Sequence, residues 1–223
     1  MANDAAVKIF RELQALDVKN VKNYLRKLFE VLAETKITFR RFIADTRILS
    51  ETELGEAINI VIYWLLTNQE NGKSIIIIGN GGSAGIAIHS LADYANVGGF
   101  KTIDLFNPAL LTCMSNDYGY KNVFSQPIEM FAKSGDVLFA ISSSGKSENI
   151  IKAAKTALSL GCTVITFSGF DTDNSLRQTG DLNFYSPSQH YGFVELAHQI
   201  IIHCILDLFV RSKVYEEMKQ AIG

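Results

Sequence analysis

The chain has 223 residues, 48% of them hydrophobic and 20% charged, which is enough to bury a full core and ordinary for a soluble globular protein. Its net charge of −2 and its sequence pI of about 6.1 argue against the basic surface that nucleic acid or an anionic membrane would need. Three widely spaced cysteines, no leader-like N-terminus and no apolar run of about eighteen residues favour a cytoplasmic protein without a membrane span.

Residues 1–72 are predicted to form an N-terminal helical segment of about three helices. Their apolar residues recur at helical spacing, at Val7, Phe10, Leu13 and Leu16 and again at Val21, Tyr24, Leu25, Leu28 and Val31. The third helix is predicted from Ser50, because Ser50–Glu53 has the sequence of a capping box, to about Asn71. Long amphipathic helices ahead of an α/β core often pair between subunits, so we expect a homo-oligomer.

Residues 73–212 are predicted to form an α/β domain, with a C-terminal tail at 213–223. Apolar runs predict strands at Ser74–Ile78, Thr102–Phe106, Asp136–Ser142, Thr163–Ser168 and Asp181–Ser186. Helices are predicted at Ser83–Val97, Val123–Ala132 and Ser147–Leu160, and from about Gly192 to Arg211. Strands that are apolar nearly throughout and alternate with helices indicate a parallel sheet covered on both faces.

A glycine-rich loop, Gly79–Ser83, follows the first of these strands and opens a helix. Unpaired backbone N–H groups and the helix dipole converge at such a point, which predicts an anion site. The loop could instead be a tight turn in which glycine only supplies a positive φ. It matches neither the dinucleotide fingerprint nor a Walker A loop, so nucleotide binding is disfavoured. On the helix that follows, His89 and Asp93 would share one face.

A serine-rich loop follows another predicted buried strand and opens another helix. Its hydroxyl groups are those of Ser142, Ser143, Ser144 and Ser147. Together they can donate several hydrogen bonds to one phosphate, although Ser147 could serve only as a helix N-cap. Because both loops follow strands of one parallel sheet, they are expected to meet at its carboxyl edge, where α/β proteins bind ligands. The two loops therefore predict a site for a phosphorylated substrate.

The last predicted helix carries Glu195, His198 and His203. At 100° per residue the two histidines lie about 140° apart, so they are not expected to meet at one site, whereas Glu195 and His203 are about 80° apart. His203 could also be a core histidine, because it stands in an apolar run. Two histidines and two carboxylates, His89, Asp93, Glu195 and His203, would suit zinc with an open position. The same groups could work as a metal-free acid–base pair.

Taken together, these motifs resemble the sugar isomerase (SIS) domain superfamily and, within it, the phosphoheptose isomerases. The resemblance runs from about Gly72 to Phe209. The matching motifs are Gly79–Ser83 with His89, Ser115–Tyr120, Gly135–Leu138, the serine loop with Ser147, and Pro187–Ser188 ahead of the helix with His198 and His203. Within the second motif, the Asn-Asp-Tyr-Gly-Tyr segment is distinctive of the heptose branch.

The resemblance implies a three-layer αβα sandwich with a five-stranded parallel sheet, assembled as a homotetramer with sites at subunit interfaces. It also implies interconversion of sedoheptulose 7-phosphate and a manno-heptose 7-phosphate through an enediol(ate), for heptose units of surface polysaccharides, with one zinc ion per subunit. The implied phosphate ligands are Ser142, Ser143, Ser144 and Ser147. The other implied substrate ligands are Asn80, Gly81, Gly82, Ser83, Asn116, Asp117 and Glu195. The implied zinc and catalytic groups are His89, Asp93, Glu195 and His203.

Three positions depart from the family's usual residues. The family has Glu where this chain has Asp93, Gln where it has Glu195, and Arg where it has Phe193. The shorter Asp93 and the added charge of Glu195 leave two candidates for the base that removes the carbon-bound proton, with His203 as the partner acid.

Two further functions stay open. A non-catalytic SIS-domain protein would bind a sugar phosphate as a sensor or act as a replication adaptor, and an isomerase could act on another phosphosugar. The retained Asp93 and His203 favour catalysis over the adaptor.

Overall fold

The fold is built on one sheet of six strands. The structure is a computed structural model that describes residues 20–40, 42–43, 46–47 and 53–222, with the side chains of 20–40 and 53–213. The strands are β1 (Lys36–Phe39), β2 (Phe42–Ile43), β3 (Thr46–Arg47), β4 (Ser74–Ile78), β5 (Lys101–Ile103), β6 (Val137–Ser142), β7 (Thr163–Ser168) and β8 (Leu182–Tyr185). Their order in the sheet is β1-β8-β7-β6-β4-β5, while β2 and β3 pair with each other.

Helices cover both faces of the sheet. They are α1 (20–33), α2 (Leu54–Glu70), α3 (Gly82–Asn96), α4 (Pro108–Tyr118), α5 (Ser125–Phe131), α6 (Glu148–Ser159) and α7 (Tyr191–Ile222), with a 3-10 turn at Tyr120–Asn122. The helices α2, α3 and α7 pack on one face, and α4, α5 and α6 on the other. The isoleucine run of β4 serves both cores, since Ile75 and Ile77 point into the first and Ile76 and Ile78 into the second.

The predicted five-stranded parallel sheet is confirmed, and a sixth strand is added to it. The strands β4 to β8 are all joined by parallel pairings. The extra strand, β1, pairs antiparallel with β8, from Lys36 opposite Tyr185 to Phe39 opposite Leu182. No strand was predicted within the N-terminal helical segment, so Lys36–Phe39 is an addition to it. Four residues are too few to show a periodicity, and this strand forms because β8 offers it an edge.

Two helices differ from the sequence prediction. The helix α4 was not predicted; it begins at Pro108 and is capped by Asn107, whose side chain accepts hydrogen bonds from the N–H groups of Ala109 and Leu110 at 3.0 and 3.2 Å. The helix α7 continues past the predicted end at Arg211 into the segment assigned to a tail. Neither glycine nor proline follows Arg211 until the last residue, so no local signal ends this helix there.

Part of the predicted N-terminal segment lies outside the described residues. This holds for the helix predicted from Val7 to Leu16 and for Ser50–Thr52 of the capping box. The described chain resumes at Glu53, whose side chain makes no cap hydrogen bond to α2. At its other end α2 finishes at the C-cap Asn71, as predicted. The division of the chain at residue 72 stays a prediction.

The helix α7 combines a membrane-like composition with a core position. Its stretch Tyr191–Lys213 is long and apolar enough to cross a membrane by length and composition, contrary to the expectation that no such stretch exists. Its most buried apolar side chains, which include Ala197, Ile201, Ile205 and Phe209, pack against the sheet in the first core. This packing accounts for the buried part of the apolar composition, and a core helix of a globular protein passes the same test.

His198 is a structural histidine at the centre of α7. Its side chain is fully buried, and its Nε2 lies 3.1 Å from the carbonyl oxygen of Ser168, the last residue of β7. Burial lowers the pKa of His198 to about 4, despite the opposing effect of the hydrogen bond to Ser168. The ring is therefore neutral in the folded protein, and Nε2 is the atom that donates to the carbonyl. As expected, the two histidines of α7 lie in different environments.

Substitution of His198 should make the unfolding free energy depend less on pH below pH 6.5. The imidazole has a pKa near 6.5 when unfolded and about 4 when folded, so the unfolded chain binds more protons between these values. The stabilising contribution is complete above pH 6.5 and falls as the pH drops towards 4, by up to about 3 kcal/mol. We expect His198→Gln, which keeps a donor for Ser168, to lose less unfolding free energy than the wild type over this range. Urea titrations at pH 7, 5.5 and 4.5 measure it.

The exposed His190 supplies the control. His190→Gln should keep the wild-type profile, since that side chain is exposed. If the unfolding free energy fell equally steeply with pH in the wild type and in His198→Gln between pH 6.5 and 4, His198 would not be the buried neutral group described above.

Candidate active site

The two predicted loops meet in one cleft at the carboxyl edge of the sheet. The strands β4 and β6 that carry them are direct neighbours and parallel. The cleft has a volume of about 230 Å³, and its lining comes from both loops and from the start of α7: Asn80, Gly81, Gly82, Ser83, Ser142, Ser143, Ser144, Ser147, Tyr191 and Glu195. Nine of these ten residues were predicted substrate ligands.

A larger cleft of about 460 Å³ lies at the opposite edge of the sheet. Its lining includes Phe39, Trp64 and Asn68, and its charged residue, Lys73, donates a hydrogen bond to the carbonyl oxygen of Ser134 at 2.8 Å. We place the candidate active site at the smaller cleft because hydroxyl groups, a carboxylate and a helix N-terminus converge there. The larger volume of the other cleft does not by itself indicate a reaction.

Glycine is required in the first loop for two close approaches. A Cβ atom at Gly79 would lie 2.5 Å from the backbone carbonyl of Ser83, so the strand could not turn so tightly into α3. A Cβ atom at Gly82 would lie 2.5 Å from both carboxylate oxygens of Glu195. The loop is thus more than a turn with positive φ, because the bare backbone of Gly82 lets a carboxylate approach the first turn of α3.

The side chain of Asn80 joins the two loops. Its amide exchanges two hydrogen bonds of 2.9 Å with the amide of Asn149 in α6. Its oxygen also accepts a hydrogen bond from the hydroxyl of Tyr120 at 3.0 Å. Asn80 was predicted to bind the sugar chain, but in this structure its amide is occupied with holding the cleft together.

The serine loop keeps its hydroxyl groups available for a ligand. Ser147 stands at the N-cap of α6 but makes no side-chain cap hydrogen bond, so the alternative that it serves only as a cap is not what the structure shows. Its Oγ instead accepts from the hydroxyl of Ser142 at 3.1 Å. The buried Oγ of Ser143 has no hydrogen-bond partner within the described residues. An anion needs hydrogen-bond donors, and the uncapped N–H groups of α6 and the serine hydroxyls with few partners can supply them.

Lys146, the formal cation of the serine loop, is directed away from the cleft. Its Nζ pairs with the carboxylate of Asp171 at 2.6 Å. The hydrogen bond between them raises the pKa of Lys146 and lowers that of Asp171. Both side chains are exposed, so this pair stabilises the fold only slightly. A phosphate in the cleft would therefore be bound by hydroxyl and N–H groups.

A second cluster of functional groups joins α3 and α7. The carboxylate of Asp93 lies 3.3 Å from Nε2 of His89 and 3.8 Å from Nδ1 of His203, and the two imidazole rings are 5.1 Å apart. One ligand atom from each of the three residues falls within 4.8 Å of the others. His203 is therefore half-buried at this cluster rather than a core histidine, and the three groups could hold a metal ion.

Glu195 lies apart from this cluster. It stands eight residues before His203 on α7, more than two helical turns away, and its carboxylate rests against Gly82. Within the described residues Glu195 makes no hydrogen bond or ion pair. The structure thus brings three of the four predicted metal ligands together and leaves the fourth in the cleft. Glu195 is not part of the group whose ligand atoms lie within 4.8 Å of one another.

Asn116 and Asp117 lie outside the cleft. They stand near the end of α4, where the amide of Asn116 donates to the carboxylate of Asp117 at 2.8 Å and the thiol of Cys113 lies 3.5 Å from the same carboxylate. Both residues are exposed, and neither lines the cleft within this chain. Their role as substrate ligands stays a prediction.

Three residues of the site were not predicted as ligands. Tyr120 and Asn149 hold Asn80, and Tyr191 lines the cleft beside Glu195. The first two stand within sequence motifs, next to residues that were singled out. Tyr191 could have been found from the helical period, since it precedes Glu195 by four residues and so shares its face.

Comparison with known proteins shows the family to which this chain is related. A family model described as the SIS domain matches residues 39–169. The phosphoheptose isomerase of Clostridium acetobutylicum is 33% identical over 183 residues, covering 79% of this chain and 93% of the relative. That of Mycobacterium tuberculosis is 37% identical over 166 residues, covering 72% and 84%. The solved structure of phosphoheptose isomerase GmhA from Neisseria gonorrhoeae superposes with a TM-score of 0.72 at 26% identity, covering 88% and 98%.

The contact between Gly82 and Glu195 can be tested by a double-mutant cycle. In the wild type, Gly82→Ala should lower the unfolding free energy by about 1 kcal/mol, because the new methyl group displaces the Glu195 carboxylate. In the Glu195→Ala background the same change should cost nothing, since the obstruction is gone. Urea denaturation of the four proteins measures both values.

Gly85→Ala is the matched control on the same helix. A Cβ atom there meets no atom within 4 Å, so alanine should be neutral or stabilising in both backgrounds. An equal cost of Gly82→Ala with and without Glu195 would contradict the placement of that carboxylate.

Proposed function

This chain belongs to the SIS domain family and, within it, to the phosphoheptose isomerases, and we propose that it interconverts sedoheptulose 7-phosphate and a manno-heptose 7-phosphate. The observation that carries this proposal is the cleft, in which a serine loop and a helix N-terminus face a carboxylate that is unpaired within the described residues. The reaction needs an anchor for a phosphate and a base for a carbon-bound proton, and the cleft supplies groups for both.

The serine loop would anchor the phosphate. The hydroxyls of Ser142, Ser143, Ser144 and Ser147 and the first N–H groups of α6 all lie at one end of the cleft. They can saturate phosphate oxygens without bringing a formal charge into the site. Binding energy from this remote group then orients the reacting end of the sugar.

Glu195 is the base in this proposal. It lies in the cleft and has no hydrogen-bond partner within the described residues, whereas the Asp93 carboxylate is engaged by two histidines. A carboxylate that accepts no other hydrogen bond is free to take the carbon-bound proton and give an enediolate, then to return the proton to the neighbouring carbon. The role of His203 as the acid stays a prediction.

His89, Asp93 and His203 would hold zinc. Two imidazoles and a carboxylate within reach of one point fit the donor set that zinc prefers, with at least one position open. Zinc bound there would act as a Lewis acid that polarises a substrate oxygen. The role of Glu195 as a fourth ligand stays a prediction, since in this proposal its carboxylate acts as the base in the cleft.

A homo-oligomer is supported by exposed apolar side chains on α1, α3 and α7. Val21, Leu25 and Phe29 recur at every fourth residue along α1, and all three are about half exposed or more. On the same side of the sheet, Ile88 of α3 and Ile200 of α7 are exposed as well. Such a surface is typical of a subunit interface. The tetramer and the cytoplasmic location are expected from the resemblance, and we include both in the proposal.

The isomerase proposal is tested by proton exchange. Sedoheptulose 7-phosphate incubated with the protein in D₂O should take up deuterium at C1 and convert to an aldose, which NMR follows directly. Glu195→Gln should reduce this exchange by about 10²–10⁴-fold, because an amide cannot take the proton, while the substrate still binds. Glu129→Gln, at an exposed position of α5, is the control and should behave as the wild type. No exchange in folded wild-type protein, with or without zinc, would refute the isomerase.

Metal binding has a separate readout. After equilibration with zinc and dialysis, the wild type should retain about one zinc per chain, measured by elemental analysis. His89→Ala and His203→Ala should each weaken zinc binding at least tenfold, whereas His190→Ala, which removes an exposed imidazole outside the cluster, should not. Retention of full zinc content by both cluster variants would place the metal elsewhere.

A further inference from the structure

We propose that the ring of Tyr191 is the wall against which the carbon chain of the substrate packs, and that Phe170 is the positioning residue that holds this ring. The inference rests on the proposed function, because it assigns a role within the same cleft. It concerns specificity rather than the proton transfer itself.

Tyr191 is placed to cover a bound ligand. It is the first residue of α7 and lies one helical turn before Glu195, so both side chains project from one face of the helix into the cleft. The residue is 60% exposed, which leaves most of the aromatic ring in contact with water when the cleft is empty of substrate. A ring in that position loses its unfavourable hydration when the C–H groups of a sugar chain pack against it.

Phe170 fixes the position of that ring. The two rings meet edge to face, with their centroids 4.7 Å apart and their planes at 73°. This is the geometry that aromatic pairs prefer, and Tyr191 stays 60% exposed despite the contact. Tyr191 is therefore supported from one side by a neighbour that does not itself line the cleft.

The backbone of Phe170 is in a conformation that few residues adopt. Its φ is +58°, and it is the only residue other than glycine with a positive φ in the described part of the chain. Two hydrogen bonds hold it there, since its N–H donates to the carbonyl of Ser188 at 3.0 Å and its carbonyl accepts from the hydroxyl of Tyr185 at 2.7 Å. Strain of this kind persists where surrounding contacts enforce it, and it clusters at ligand sites.

Tyr191 is distinguished from its aromatic neighbours by what they contact. Phe193, two residues later, turns to the other side and packs on Tyr24 of α1 at 4.6 Å and on His190 at 4.7 Å. That group ties α1 to the start of α7 and does not line the cleft. Of these rings, only that of Tyr191 faces the hydroxyls of the serine loop.

The test separates the contributions of the Tyr191 ring, the Tyr191 hydroxyl group and the contact with Phe170. Tyr191→Ala should raise the KM for sedoheptulose 7-phosphate about tenfold with a smaller change in kcat, because ground-state packing is lost. Tyr191→Phe retains the ring and should raise KM much less than Tyr191→Ala does. Phe170→Asn suits the left-handed backbone and should raise KM in the same direction. The double variant should be no worse than Tyr191→Ala alone, because the two residues act through one contact.

A binding measurement separates this inference from the proposed reaction. Inorganic phosphate occupies only the serine loop, so its dissociation constant should be unchanged in Tyr191→Ala, while that of sedoheptulose 7-phosphate should rise about tenfold. Tyr63→Ala, an exposed tyrosine on α2, is the control. Absence of turnover in the wild type would overturn the isomerase and leave the binding comparison to decide on Tyr191. The proposed role of Tyr191 would be contradicted if Tyr191→Ala lost affinity equally for both ligands. It would also be contradicted if Tyr191→Phe bound sedoheptulose 7-phosphate as weakly as Tyr191→Ala.

Discussion

The site depends above all on the parallel pairing of β4 with β6. The pairing runs in register from Ile75 opposite Val137 to Ile78 opposite Ala140, and both strands are buried over these residues. Because the strands are parallel and adjacent, the chain leaves both at the same edge of the sheet. The strand pairing alone is therefore enough to bring the glycine loop and the serine loop together. The amide pair of Asn80 and Asn149 then fixes their separation. A shift of one residue in this register would turn every isoleucine of β4 to the opposite core.

The helix α7 provides the rest of the site from its exposed flank. One flank carries the apolar residues that cover the sheet and the neutral His198, which bonds to the end of β7. The other carries Tyr191, Glu195 and His203 in succession, the first two in the cleft and the third at the cluster with Asp93. The fold and the chemistry therefore place separate demands on the same helix. Its buried apolar side chains pack on the sheet, although its composition alone would suit a membrane.

Regular elements with strong local patterns were predictable from the sequence. The strands Ser74–Ile78 and Thr163–Ser168 have the predicted limits, because each is an apolar run bounded by turn residues. The loops were predictable since glycine and clustered serines at strand ends carry a specific backbone and hydrogen-bonding meaning. The strand β1 was missed because its four residues form a strand only where the edge of β8 receives them. The helix α4 was missed although Asn107 and Pro108 carry a start signal. Its second half contains the polar run Ser115–Asp117, which resembles a loop in sequence.

The sequence by itself determined the components: a parallel sheet, two loops that are predicted to bind an anion, and the titratable groups on two helices. Local periodicity and turn chemistry decide these, and they act between residues close in the chain. Only the tertiary structure decided how the groups divide. Glu195 and His203 are 80° apart by helical rotation, which suggests one site, but the packing of α7 along α3 sets Glu195 against Gly82 and His203 against Asp93. That division depends on how two helices are aligned lengthwise, and the alignment is set by core packing that no local pattern records.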